Sequence, residues 1–284
     1  MKSTLLKLLP RPLYLLLKAV HLRVLNKRSQ MRRALRETAI SGDEFARNFR
    51  EAQHRFHDDP SVMTEFLKSH SLHDFWLYFV DSQNAPHYRM QWGERMMSKF
   101  PMDTWVYKHL IETSKPNLII EIGTQRGNSA IMLRELSRHL DTAVVTFDIL
   151  TPDDSVIKTF DDHGITFFNT DATTAKAVDD ILSLGIEADD IRALIIDDGS
   201  HKEDHVIETF ALLKRFVPEG GYFIIEDGFT NELMDKKGFL AMQGVRHILD
   251  HHDDFHLERG FDDFFMMSAY MGILKKSGKA PAQQ

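Results

Sequence analysis

Two short clusters hold the residue types with the most chemical potential: Asp197-Asp198-Gly199-Ser200-His201 and Glu226-Asp227-Gly228. If each cluster ends a strand and the two strands are neighbours, the carboxylates of Asp198, Glu226 and Asp227 meet at one point. Like charges that close repel or shift their pKa values unless a cation neutralises them. The chain has no cysteine, and an oxygen-only donor set favours Mg²⁺, with Ca²⁺ or Mn²⁺ as the other candidates. His201 stands three residues after Asp198 and can face the same pocket, where an imidazole is the natural general base for an alcohol near neutral pH. The plainer readings are that Asp198 and Asp227 cap helices and that His201 is an ordinary residue at a helix N-terminus. The stretch from Asp250 to His256 is rich in histidine, but it falls between a helix and a strand and reads as a solvated turn.

A second constellation runs from Glu121 through Gly123 and Thr124 to Gly127, with the spacing E-x-G-x-x-x-G. Glycines are needed where the backbone approaches a ligand or takes torsions that exclude a side chain. The G-x-G-x-x-G spacing of a diphosphate-binding turn is absent. An acid before the first glycine suits a ligand bearing an ammonium group, so S-adenosylmethionine, which has an amino group, a sulfonium and no phosphate, fits better. Asp148 can accept both ribose hydroxyls and Asp171 can receive the adenine amino group. Thr124, Gly127 and Ser129 complete the expected cofactor set.

These residues need a scaffold that brings strand ends together. From residue 103 onward, short runs rich in Ile, Val and Phe alternate with helical stretches, and each run ends in an acid or a glycine. Five such runs begin near residues 117, 143, 165, 192 and 221. The pattern predicts an α/β fold: a mostly parallel, Rossmann-like sheet of seven strands with helices on both faces. Ligands of such sheets sit beyond the carboxyl ends of the strands, where the acids of this chain fall. Residues 255–276 read as an antiparallel pair closing one edge. Residues 103–115 read as an amphipathic helix stopped before Pro116.

The expected divisions are a basic arm (1–36), a helical extension (37–102), the Rossmann-like domain (103–276) and a disordered tail (277–284). The arm carries ten Lys and Arg and no acid, which leaves 25 basic against 42 acidic residues in the remainder. So acidic a body argues against nucleic acid as a partner. No apolar run in the arm reaches the roughly 20 residues that span a bilayer. Its leucine-rich, basic composition suits contact with an anionic membrane surface or packing on protein. The expected location is cytoplasmic, with peripheral contact at the inner membrane face, and the leucines of the N-terminal region favour a homo-oligomer.

Gln91-Trp92-Gly93, the segment from Lys99 to Asp103, the segment from Lys115 to Thr124 and the segment from Ala269 to Lys276 resemble the cephalosporin hydroxylase family, which includes rhamnosyl O-methyltransferases. The segment from Ile195 to His201, with Glu226-Asp227, is similar to metal-dependent sugar O-methyltransferases of macrolide biosynthesis. The resemblance implies Mg²⁺ on Asp198, Glu226 and Asp227, with His201 as base. It also implies cofactor contacts at Glu121, Gly123, Asp148 and Asp171. Asn128 departs from the family, which often has a second glycine there. The expected activity is S-adenosylmethionine-dependent, metal-assisted O-methylation of a small-molecule or glycan acceptor. The alternatives are an iron-dependent oxygenase, which needs two histidines and a carboxylate, and a non-catalytic lipid-surface protein.

Overall fold

The structure is a computed structural model, and it describes residues 47–48, 51–52, 55, 90–92, 95–228, 240–261 and 267–277. The expectations for the arm, most of the helical extension and the tail beyond residue 277 lie outside them. Residues 1–85 form one compact unit and residues 86–284 another. In the first, residues 47–48, 51–52 and 55 are helical. Among the described residues no helix is long and apolar enough to cross a membrane.

The second unit opens with a hairpin, β1 (Met90–Trp92) and β2 (Arg95–Met97), followed by α1 (Pro101–Ser114). Pro101 occupies the first turn of α1, where its missing N–H costs nothing. Lys115 ends the helix in the left-handed region, its N–H on the Ile111 carbonyl, and Pro116 prevents continuation.

Strands and helices then alternate: β3 (Leu118–Ile122), α2 (Asn128–Leu136), β4 (Ala143–Phe147), α3 (Asp154–His163) and β5 (Ile165–Phe168). After α4 (Ala175–Leu182) come β6 (Ala193–Asp197), α5 (Glu203–Leu213), β7 (Tyr222–Ile225) and α6 (Ala241–His251). β8 (Phe255–Leu257) and β9 (Ile273–Lys276) finish the sheet. Its order is β5-β4-β3-β6-β7-β9-β8. The first five strands run parallel, and β9 is antiparallel to both β7 and β8. The expected seven strands and the antiparallel edge pair are both present.

Residues of β3 alternate between the two faces of the sheet. Leu118, Ile120 and Ile122 join one core with Phe210 and Phe223, while Ile119 joins the other with Leu110 and Ile131. Every residue of β3, β6 and β7 is buried, the expected condition of a parallel sheet covered on both faces. The order of crossovers reverses between β3 and β6. A crevice must open there beyond the strand ends, and it is the position at which such sheets bind ligands.

Candidate active site

The crevice is a cleft of about 1080 Å³. Its floor is the junction of the β3 and β6 ends, where the Asp198 N–H donates to the Ile122 carbonyl at 2.9 Å. Gly123 follows β3 with φ +98°, and a Cβ there would lie 2.2 Å from the Asp198 carbonyl oxygen. Gly127, with φ +71°, is blocked the same way by the Phe160 ring at 2.4 Å. The torsional need for both glycines is present, and the space a side chain would take is filled by protein.

Thr124, Ser129, Asp148 and Asp171 line the cleft with Gly123, whereas Glu121 and Gly127 are not among its lining residues. Glu121 points within the sheet, accepting from Thr146 Oγ1 at 2.7 Å, and Thr146 Oγ1 is in turn 2.7 Å from Thr124 Oγ1. Burial pushes the Glu121 carboxyl up to about 7, against the pull of hydrogen bonds from Ser129 and Thr146. The carboxylate therefore braces the loop from beneath. Asp148 accepts from the N–H groups of Gln125 and Leu150 at 3.0 and 2.9 Å, which ties the end of β4 to the same loop. Asp171 caps its own turn through the Thr173 N–H and hydroxyl, and these bonds lower its pKa. Asn128 opens α2 directly after Gly127, so the helix starts without a second glycine.

At the other end, β6 and β7 lie side by side in register, Asp197 opposite Ile225, and the Glu226 N–H donates to the Asp197 carbonyl at 2.9 Å. Asp198, His201 and Asp227 converge: His201 Nε2 is 3.7 Å from Asp198 Oδ1 and 3.9 Å from Asp227 Oδ2. Each offers one ligand atom within 4.8 Å of the others, and among the described residues they are the group able to hold a metal ion. His201 precedes the first turn of α5, and it and Asp227 take left-handed torsions, φ 55° and 56°. Left-handed backbone costs a non-glycine residue about 1–2 kcal/mol. Strain of that kind collects at functional sites. Burial, followed by the charge of Asp198, pushes the Asp227 carboxyl up to about 6. Its buried Oδ1 has no hydrogen-bond partner, nor does the Ser200 hydroxyl. The histidine-rich stretch stays apart from this group: His252 Nδ1 meets Lys214 Nζ at 2.9 Å and His251 Nδ1 meets the His247 carbonyl at 2.8 Å.

Glu226 is held differently. It is 1% exposed, its Oε1 accepts from the Tyr107 hydroxyl and its Oε2 from the Lys99 ammonium. Lys99 also lies 2.8 Å from Asp198 Oδ2. Burial pulls the Lys99 ammonium down, but Asp198, Glu226 and Asp103 outweigh it and hold its pKa well above the ordinary lysine value. Asp103 accepts from the Phe100 N–H at 2.8 Å, and from the Ser268 N–H and hydroxyl at 2.7 and 2.8 Å. Sequence reasoning assigned Lys99, Asp103 and Tyr107 no role. One signal was available: a lysine just before a helix N-terminus stands at the unfavourable end of the dipole and needs acids nearby.

Asp197 was also passed over. It is buried and accepts from the Gly199 N–H at 3.1 Å and the Thr209 hydroxyl at 2.7 Å, which pins the turn that carries Asp198 to α5. His205 lines the cleft with its Nδ1 3.8 Å from Asp197 Oδ2.

Five parallel strands with an antiparallel pair on the β7 edge, and a cleft at the β3–β6 reversal, make this a Rossmann-like sheet with a ligand cleft at its switch point. The family described as Rhamnosyl O-methyltransferase/CmcI matches residues 84–277, and the chain belongs to it. The rhamnosyl O-methyltransferase of Mycobacterium bovis (strain BCG / Pasteur 1173P2) is 28% identical over 134 residues, which are 45% of this chain and 53% of that protein. The Mycobacterium leprae (strain TN) protein of the same name is 26% identical over 132 residues, 45% of this chain and 56% of its own. The chain thus spans about half the length of the curated relatives it matches. A CmcI structure with Mg and SAM is 18% identical, covering 66% of this chain and 77% of that one, with a TM-score of 0.48. The MycE methyltransferase of the mycinamycin biosynthetic pathway, in complex with Mg and SAH, is 19% identical over 62% of this chain and 51% of that one, with a TM-score of 0.42.

Proposed function

We propose that the chain is an S-adenosylmethionine-dependent, divalent-metal-assisted O-methyltransferase acting on a hydroxyl of a sugar, glycoconjugate or polyol-like acceptor. The observation that carries this reading is the meeting of Asp198, His201 and Asp227 in the same cleft as the Gly123 loop, one and two strands away from it. Membership of the rhamnosyl O-methyltransferase/CmcI family supports it.

The residues fit a hard divalent cation: carboxylate oxygens converge, and Asp227 Oδ1 is a buried acceptor without a donor. Asp198 and Asp227, joined by Glu226 once its present partners release it, would hold Mg²⁺. Such an ion, when bound, lowers the pKa of an acceptor hydroxyl and fixes its orientation. S-adenosylmethionine supplies an electrophilic methyl on a sulfonium. The Gly123 loop, Asp148 and Asp171 would seat it, with Ser129 at the start of α2. His201 would take the proton from the acceptor hydroxyl as that oxygen bonds to the methyl, the carbon–sulfur bond breaks and the sulfur leaves as the neutral thioether of S-adenosylhomocysteine. Asp198 and Asp227, beside the ring, stabilise the imidazolium that results. Positioning supplies most of the remaining rate.

Calorimetric titration with S-adenosylmethionine, together with transfer of labelled methyl to rhamnosyl acceptors, tests the reading. Saturable binding and label on an acceptor oxygen are expected; absence of cofactor binding ends it. The oxygenase alternative needs two histidines and a carboxylate on one metal, and among the described residues His201 alone joins the metal-capable group.

A further inference from the structure

The three carboxylates of the proposed metal set are not equally available. Glu226 has both oxygens engaged, one by Tyr107 and one by Lys99. Asp198 gives Oδ2 to Lys99 and turns Oδ1 toward His201. Asp227 alone keeps a buried oxygen without a partner. Lys99 is 3% exposed, so its ammonium has no water to fall back on and its charge stays among these groups.

We infer that Lys99 is a tethered counter-ion that competes with a divalent cation for Asp198 and Glu226, and so sets both the affinity and the donor set of the site. This rests on the metal-assisted reading above. With the lysine in place, a cation meets Asp227 and the Oδ1 of Asp198, with Glu226 withheld. With the lysine withdrawn, it meets three carboxylates, the oxygen set that Mg²⁺ prefers. The two cations cannot share Asp198 and Glu226 without strong repulsion, which is worth at least about tenfold in affinity even at the dielectric constant of water. The arrangement also explains how three acids can be folded together without metal, since an uncompensated buried carboxylate is costly.

Titration of the full chain with Mn²⁺, followed by the electron paramagnetic resonance signal of the free ion, tests this. Lys99→Met is expected to bind Mn²⁺ at least about tenfold more tightly than the unmodified chain, while the charge-preserving Lys99→Arg binds no more tightly. A merely structural lysine would not produce a gain in affinity on removal. Affinity for Lys99→Met equal to or weaker than that of the unmodified chain overturns the inference. If Lys99→Met does not fold, the comparison moves to Glu226→Gln against the double variant Lys99→Met/Glu226→Gln, in which one charge of each sign is removed. Tighter binding by the double variant supports the competition; equal or weaker binding overturns it. Failure of every protein to bind Mn²⁺ removes the metal reading and this inference together. Binding by the unmodified chain with no gain in Lys99→Met removes only the inference.

Discussion

His201 sits between two carboxylates in a backbone conformation that histidine rarely adopts, and a protein keeps such a residue only where surrounding contacts enforce it. The proposed role is proton transfer, for which a positioned base contributes roughly 10²–10⁴ in rate. Methyl transfer by His201→Ala should therefore fall by at least about 10²-fold while calorimetry still registers S-adenosylmethionine binding. Undiminished turnover would remove His201 from the mechanism. Glu121 is a second residue with a measurable signature. Its carboxyl is raised by burial from an ordinary 4.5 to about 7, so between those values the folded chain holds more protons than the unfolded chain. That contribution to stability is complete below pH 4.5 and is lost as pH rises through 7. Glu121→Gln, which mimics the neutral acid, should be more stable than the unmodified protein at pH 8 by about 3 kcal/mol and nearly equal to it at pH 4.5. Urea denaturation of the ligand-free proteins at both pH values checks this, and parallel pH profiles would refute it. Asp198, His201 and Asp227 were legible because acid and histidine types recur at strand ends. Lys99 was not, since its meaning lies in acids 99 and 127 residues away.

At the scale of elements, the ends of β3 and β6 are interlocked by backbone rather than by side chains. The carbonyl of Asp198 occupies the space that a Cβ on Gly123 would need. Gly123→Ala therefore suffers both a torsional penalty and a collision with a main-chain atom that cannot rotate away. Gly164 offers the control: its φ is +64°, yet nothing lies within 4 Å of a Cβ placed there. Gly164→Ala should cost only the torsional part, about 1–2 kcal/mol, and Gly123→Ala clearly more, with loss of S-adenosylmethionine binding besides. Equal losses in thermal unfolding would show that the interlock carries no weight. Strands β3, β4, β6 and β7 could be read from the sequence because burial on both faces writes itself as short runs dominated by Ile, Leu, Val and Phe. The hairpin β1–β2 could not, because three-residue strands are too short to carry a period. Helix α3 escaped for another reason: of its ten residues Phe160 alone is fully buried, and the rest are mostly polar. The β8–β9 pair was readable as an edge, and its register follows from Leu257 opposite Leu274.

For the molecule as a whole, the charge distribution bears on the metal. The chain is acidic overall, and in the cleft Asp198 and Asp227 are grouped with His201. Activity of protein dialysed against a chelator should fall to background and return on addition of MgCl₂. Turnover indifferent to chelation would retire the divalent cation while leaving the methyl-donor site intact.

The order in which the chain is made adds a consequence. Besides the Phe100 N–H, Asp103 finds its donors at Ser268, 165 residues further on, and the Asp227 N–H donates to the carbonyl of that same residue at 2.8 Å. A growing chain therefore carries the glycine loop, the histidine and every acid of the cleft before it carries the segment that fastens them. The end of the cleft around Gly123 is built from residues made early, whereas the end around Asp198 and Asp227 is completed only when the segment leading into the final strand has left the ribosome. Chains released short of residue 268 lack both Ser268 and β9, which lies between β7 and β8, and should show no transfer of labelled methyl.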